Sequence, residues 1–206
     1  MLPEDKRIHT KQDLNEWLQY ERGKYGEDNL KGKIREFFPI SERDILKKHL
    51  VLLRKTEYYT NHRNKLAAKF YQFRLERFQN KYALHIPLNT CGKGLRIMHV
   101  GPVLINGTAT VGENCTFHIN TAPVAGGTND DAPYLEDGVV LGIGSVVLGK
   151  THISRNVAIG ANAVVNKDVE EEDITVAGVP ARKISNGGRS SWNRTPANKE
   201  TRSAKN

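Results

Sequence analysis

The stretch LEDGVVLGIGSVVLGKTHISRNVAIGANAVV, residues 135–165, carries an aliphatic residue at every sixth position: Leu135, Leu141, Val147, Ile153, Ile159 and Val165. Gly142 and Gly160 stand beside two of these rungs, and small residues (Val139, Ser145, Thr151, Val157, Ala163) follow four places after a rung. A helix returns its apolar side chains every three to four residues and a strand every two, so a strict six belongs to neither. It predicts a solenoid of very short flat strands, each followed by a turn. Three such walls close a triangular coil of about 18 residues, which stacks Leu135 on Ile153, Leu141 on Ile159 and Val147 on Val165 in a continuous core.

Followed backwards in the same phase, the ladder passes Phe117, Val111 and Ile105 and reaches His99, where the register asks for an aliphatic. An imidazole at that place is a candidate functional group. The rungs at Pro123 and Asn129 are weak, and Ala125-Gly126-Gly127-Thr128-Asn129-Asp130-Asp131-Ala132-Pro133 reads as turn and loop, so the chain is expected to leave the coil there.

Before the solenoid the periodicity is helical. Thr10-Lys11-Gln12-Asp13 and Ser41-Glu42-Arg43-Asp44 each resemble a capping box ahead of an apolar run, Leu14, Trp17 and Leu18 in the first case and Ile45, Leu46, His49, Leu50, Leu52 and Leu53 in the second. A third helix is expected from about Asn61 to Asn80, with Leu66, Phe70 and Phe73 on a face that serves as core or as an oligomer contact. After Ile184 the apolar rhythm stops, and Trp192 is the only large anchor. The expected organisation is a helical domain over 1–83, a solenoid domain over 84–184 and a flexible basic tail over 185–206.

The formal net charge of +8 is carried by the two ends, while the repeat region is slightly acidic. A nucleic-acid module would show its basic stripe on the folded surface with aromatics among it, so no nucleic-acid partner is expected. The chain opens on a polar stretch and no window approaches the length of a membrane span, which points to a cytoplasmic protein with neither leader nor span. Cys91 and Cys115 fall at the small interior position of the hexad phase and read as buried small hydrophobes rather than a disulfide. No metal site is expected, because histidines of the repeat lie too far apart to form a ligand pair.

The block Ile159-Gly160-Ala161-Asn162-Ala163-Val164-Val165, followed by Val176-Ala177-Gly178-Val179-Pro180-Ala181-Arg182-Lys183-Ile184, resembles the closing segment of the hexapeptide-repeat acyltransferases, left-handed parallel β-helix enzymes that use acetyl-CoA. Gly92-Lys93-Gly94-Leu95-Arg96-Ile97-Met98-His99-Val100-Gly101 and Val111-Gly112-Glu113-Asn114-Cys115 are similar to serine acetyltransferases and the related O-acetyltransferases of surface polysaccharides. The resemblance implies a left-handed β-helix with an N-terminal helical domain, assembled as a homotrimer whose sites lie between subunits. It implies His99 as catalytic base, with His118 in reserve as base or acceptor-binding group. An imidazole that is neutral near pH 7 can take the proton of a hydroxyl attacking a thioester. For acetyl-CoA it implies Gly126 and Gly127 beside the pantetheine arm, backbone contacts at Ala161 and Ala177, and Arg182 and Lys183 at the phosphates.

Three places depart from the serine-acetyltransferase pattern. The aspartate that orients the histidine falls at Leu84, the acid before it at Met98, and the Arg-His pair that holds the amino-acid carboxylate at Asp131-Ala132. A buried site made for a charged amino acid is weakened by each loss. The sequence therefore points to a carbohydrate acceptor, a sugar hydroxyl of a surface polysaccharide or its precursor. The alternatives are a serine O-acetyltransferase and a catalytically silent β-helical scaffold.

Overall fold

The computed structural model describes residues 1–26, 35, 38–127 and 131–192. Its helical layer holds α1 (Lys11–Gly23), α2 (Glu42–Asn61) and α3 (Lys65–Tyr82). Both capping boxes form: the Thr10 hydroxyl accepts from the Asp13 amide while Asp13 accepts from the Thr10 amide, and Ser41 and Asp44 repeat the exchange. α3 starts later than the sequence suggests because Asn64 caps it, accepting from the Ala67 amide. Ala83, in the left-handed region at φ 56°, ends it and turns the chain into the coil.

The solenoid is a left-handed parallel β-helix. Its first wall stacks Arg96–Ile97, Thr116–Phe117, Val140–Leu141, Ala158–Ile159 and Thr175–Gly178 in parallel, and Ala181–Ser185 turns back antiparallel on the last. The second wall runs through Ala122–Val124, Val146–Leu148 and Val164–Val165, and the third through Thr110–Val111, Tyr134–Leu135 and His152–Ile153. Leu141 pairs with Ile159 and Val147 with Val165 at the 18-residue spacing that the hexads require. Pro123 is a true rung, buried opposite Val147. The coil turns through left-handed residues at its corners, where asparagine and glycine alternate: Asn114, Gly138 and Asn156 lie in one column, and Asn120, Gly144 and Asn162 in another.

The phase does not reach His99. Ile97 pairs with Phe117, a spacing of 20 residues, so the corner between them holds two extra residues and Ile97, fully buried, takes the rung. His99 is thrown outward on that corner, with 53% of its side chain exposed. The same shift makes Cys91 a rung, bridged to Val111, whereas Cys115 keeps the small position. Both thiols are free and buried, and burial pushes each up to about 12.

Helices and coil share one apolar core. Leu46, Leu50 and Leu53 of α2 and Leu75 of α3 pack with Leu84, Ile86 and Leu95 of the first coil. Within that interface lies Arg54, fully buried, whose guanidinium pairs with Glu21 of α1 at 2.8 Å and Glu57 of α2 at 2.9 Å. It also donates to the carbonyls of Cys91 (2.9 Å) and Gly92 (2.8 Å), while Glu21 accepts from the Gly94 amide and Glu57 from the Asn89 amide. One cation thus ties two helices to the first turn of the coil. Tyr25 closes the upper edge of the first wall, its hydroxyl accepting from the Ile97 amide at 2.7 Å and donating to the Ile97 carbonyl.

The segment expected to be a loose tail is in part folded. Gly188–Trp192 forms a short helix, α4, packed along the coil. A Cβ at Gly188 would lie 2.2 Å from the Asn156 carbonyl oxygen, so only glycine fits. Arg189 donates to the carbonyls of Asn114 and Gly138 across successive coils. Residues 193–206, the rest of that expected tail, lie outside the described residues, as do 128–130 of the loop. No described helix is long and apolar enough to cross a membrane.

Replacing Arg54 strands two buried carboxylates. Arg54→Met should lower the unfolding free energy by about 3–5 kcal/mol in denaturant titrations. The loss should shrink in acid, where Glu57, its carboxyl already raised by burial, can take a proton. A loss under about 1 kcal/mol, the range of an exposed pair, would mean that the network contributes no more than a surface ion pair.

Candidate active site

His99 leaves the first wall at the corner that leads into the second. Its Nδ1 lies 3.3 Å from Oε2 of Glu42, the first residue of α2, and the other carboxylate oxygen of Glu42 accepts from the Val100 amide at 2.7 Å. The helix thus places one carboxylate so that it grips both the ring of His99 and the backbone beside it. The Val100 amide bond holds the Glu42 carboxyl below its usual range, and His99 adds to the effect. An ionised Glu42 favours the tautomer with hydrogen on Nδ1, leaving the Nε2 lone pair to act as a base.

His118 stands opposite Met98 in the next coil, its ring 6.4 Å from that of His99 and 5.8 Å from the indole of Trp192, which meets it edge-on. Burial first, then the neighbouring charges of His99 and Arg96, press its imidazole towards the neutral form. Its Nδ1 is buried with no hydrogen-bond partner among the described residues.

Below His118 the same strand position is held by Gly142, Gly160 and Ala177, linked by amide-to-carbonyl bonds of 2.8–3.1 Å from coil to coil. A Cβ on Gly142 would lie 2.7 Å from the Ile159 oxygen, and one on Gly160 would lie 2.7 Å from the Cβ of Ala177. The result is a column along the coil that carries no side chain beyond Cβ below the two histidines.

The residues anticipated for acetyl-CoA divide between two places. Ala161 and Ala177 lie at the lower end of this column, and Arg182 pairs with Ala177 across the terminal hairpin, exposed. Lys183, also exposed, is bridged to Glu171. Gly126 and Gly127 lie instead where the chain leaves the second wall for the third, across that wall from His99. Gly126 there approaches Gly149, a Cβ on it falling 3.4 Å from the Gly149 Cα, and Gly127 has a φ of 85° with open space around it. A single chain brings His99, His118, Ala161 and Ala177 to one edge and leaves the glycine pair at another.

Glu42 and Arg96 were not anticipated. Leu84, where the resemblance places an orienting acid, is fully buried and paired with Val103 of the second wall. The acid that meets His99 comes from 57 positions earlier. One sign was present in the sequence: Asp44 does the capping at Ser41-Glu42-Arg43-Asp44, which leaves Glu42 without a local duty.

No protein-family model matches the chain. The serine acetyltransferase of Synechococcus elongatus is 41% identical over 101 residues, 47% of this chain and 40% of that protein. That of Staphylococcus epidermidis is 36% identical over 119 residues, 56% of this chain and 54% of that one. The chain thus spans about half the length of the curated relatives it matches. The crystal structure of serine acetyltransferase from Brucella abortus in complex with coenzyme A superposes with a TM-score of 0.63 at 21% identity, covering 86% of this chain and 70% of that one. That likeness carries the fold.

A carboxyl held below its unfolded value stabilises the fold above that value, and the benefit is lost as the pH falls through the folded one. Thermal melts of wild type and Glu42→Gln should therefore differ at neutral pH and converge in acid below about pH 4. A gap that persists unchanged into that range would show that the charge of Glu42 plays no part.

Proposed function

We propose that the chain is an acetyl-CoA-dependent O-acetyltransferase in which His99 is the general base and Glu42 its positioning residue. The observation that carries this is the Glu42–His99 pair. An extended amide-bearing arm such as pantetheine would run along the column below it, where Gly142, Gly160 and Ala177 carry no side chain beyond Cβ. Arg182, at its foot, supplies a charge for the phosphates.

In the reaction, Nε2 of His99 takes the proton of the acceptor hydroxyl as its oxygen bonds to the thioester carbonyl carbon. Backbone amides hold the negative charge that develops on the carbonyl oxygen. The intermediate then expels the coenzyme A thiolate, which takes up the proton from the imidazolium. A homotrimer would bring the Gly126-Gly127 loop of one copy to the His99 edge of the next and so reunite groups that one chain keeps apart.

The names of the relatives favour serine as acceptor over the carbohydrate expected from the sequence. Glu42 supports that choice, because it supplies the orienting carboxylate whose absence at Leu84 argued against a serine site. Arg96, exposed on the first wall three residues before His99, is the cation available for an amino-acid carboxylate, and its field reaches His118. A sugar hydroxyl remains the second reading on one specific observation: Met98 and Asp131-Ala132 offer no cation to the amino-acid carboxylate.

His99→Ala should lower kcat by roughly 10²–10⁴-fold with acetyl-CoA affinity nearly unchanged. Glu42→Gln should lower kcat by less than this, and Arg96→Gln should raise the KM for L-serine while sparing that for acetyl-CoA. Saturable O-acetylserine formation decides for serine; its absence beside acetylation of a sugar decides for the second reading. Acetyl-CoA binding without transfer to either would leave only a scaffold.

A further inference from the structure

α3 has two apolar faces and needs only one to fold. Tyr71, Leu75, Phe78 and Tyr82 form the inner face and join the common core. Leu66, Phe70 and Phe73, at the i, i+4, i+7 spacing of a single stripe, form the other and are 85%, 55% and 60% exposed. Of the two roles the sequence allowed this face, core or oligomer contact, the exposure excludes core within one chain. Cations border the stripe: the Arg74 guanidinium lies 5.5 Å from the centre of the Phe70 ring, that of Arg77 lies 5.6 Å from Phe73, and Lys65 and Lys69 continue the helix towards its start. Glu76 is the only acid on α3, against five bases.

We infer that this outer face of α3 docks on an anionic lipid surface. Aromatic and aliphatic side chains within a basic border are what an interfacial helix needs, because the rings enter the headgroup boundary while arginine and lysine meet the phosphates. Two-fold pairing with a second copy is the poorer occupant, since it would set Arg74 and Arg77 against the same cations of the partner. A soluble polyanion would meet the charges but leave Leu66, Phe70 and Phe73 in water. The inference does not depend on the acyl-transfer reading, and its test measures no activity.

The test is flotation of the full chain with vesicles of phosphatidylcholine alone and of three parts phosphatidylcholine to one part phosphatidylglycerol. The expected result is binding to the second and not to the first. Arg74→Gln/Arg77→Gln should weaken it by about 30-fold. Phe70→Ser/Phe73→Ser should abolish it while retaining binding to dextran sulfate, a soluble polyanion. Unchanged melting temperatures would show that both variants fold, as the exposure of these side chains leads one to expect. The inference is overturned if the wild type ignores the anionic vesicles, or if the phenylalanine variant floats as well as the wild type. It is likewise overturned if the phenylalanine change instead abolishes self-association in light scattering.

Discussion

The buried guanidinium of Arg54 is the constraint on which the rest of the arrangement hangs. A charge with no access to water must be matched on every side, and Arg54 finds its partners on α1, on α2 and on the carbonyls of the first coil. Any slide of the helices along the coil would unpair it. α2 is therefore held in one register against residues 91 and 92, and its first residue, twelve positions before Arg54, is delivered to the His99 corner. The apolar contacts of Leu46, Leu50 and Leu53 supply most of the attraction, but they are non-directional and would tolerate a small shift. The ion network supplies the position.

The coil contributes what a helix cannot. Its repeat places the same position of successive strands in a straight column, so that one column, Met98, His118, Gly142, Gly160 and Ala177, changes from side chains to bare backbone along its length. A column bare of side chains follows from where the repeat tolerates glycine. Its upper end acquires chemistry because the corner between Ile97 and Val103 has two residues more than the repeat allows and projects an imidazole outward. The other end is closed by the hairpin of Ala181–Ser185, which brings Arg182 alongside. From there α4 runs back up the coil, and Trp192 comes to rest on His118.

The hexad period, the capping boxes and the departure at 125–133 were legible in the sequence because each depends on local spacing or on the φ preferences of glycine and asparagine. The place of His99 was misread for a physical reason. Counting in sixes cannot detect two extra residues at a corner, and Ile97 lies close enough to the phase to be passed over. The sequence left Glu42 free of a local duty but could not show its partner, which is set by the docking of α2, a long-range event with no periodic signature. The stripe Leu66, Phe70 and Phe73 reads in the sequence as core or oligomer contact alike, because helical spacing reports that a face is apolar and not what it faces. The fold of Gly188–Trp192 escaped notice because it depends on hydrogen bonds to the coil corners and not on any rhythm of its own.

The central claim is that docking of the helical layer sets the protonation geometry of His99 through Glu42. Nitrogen NMR of the His99 imidazole tests it without any substrate. The account predicts hydrogen on Nδ1 and a bare Nε2 in the wild type at slightly alkaline pH, changing to a mixture of tautomers in Glu42→Gln. A wild-type ring with its hydrogen on Nε2, or a tautomer ratio that Glu42→Gln leaves unmoved, would contradict it.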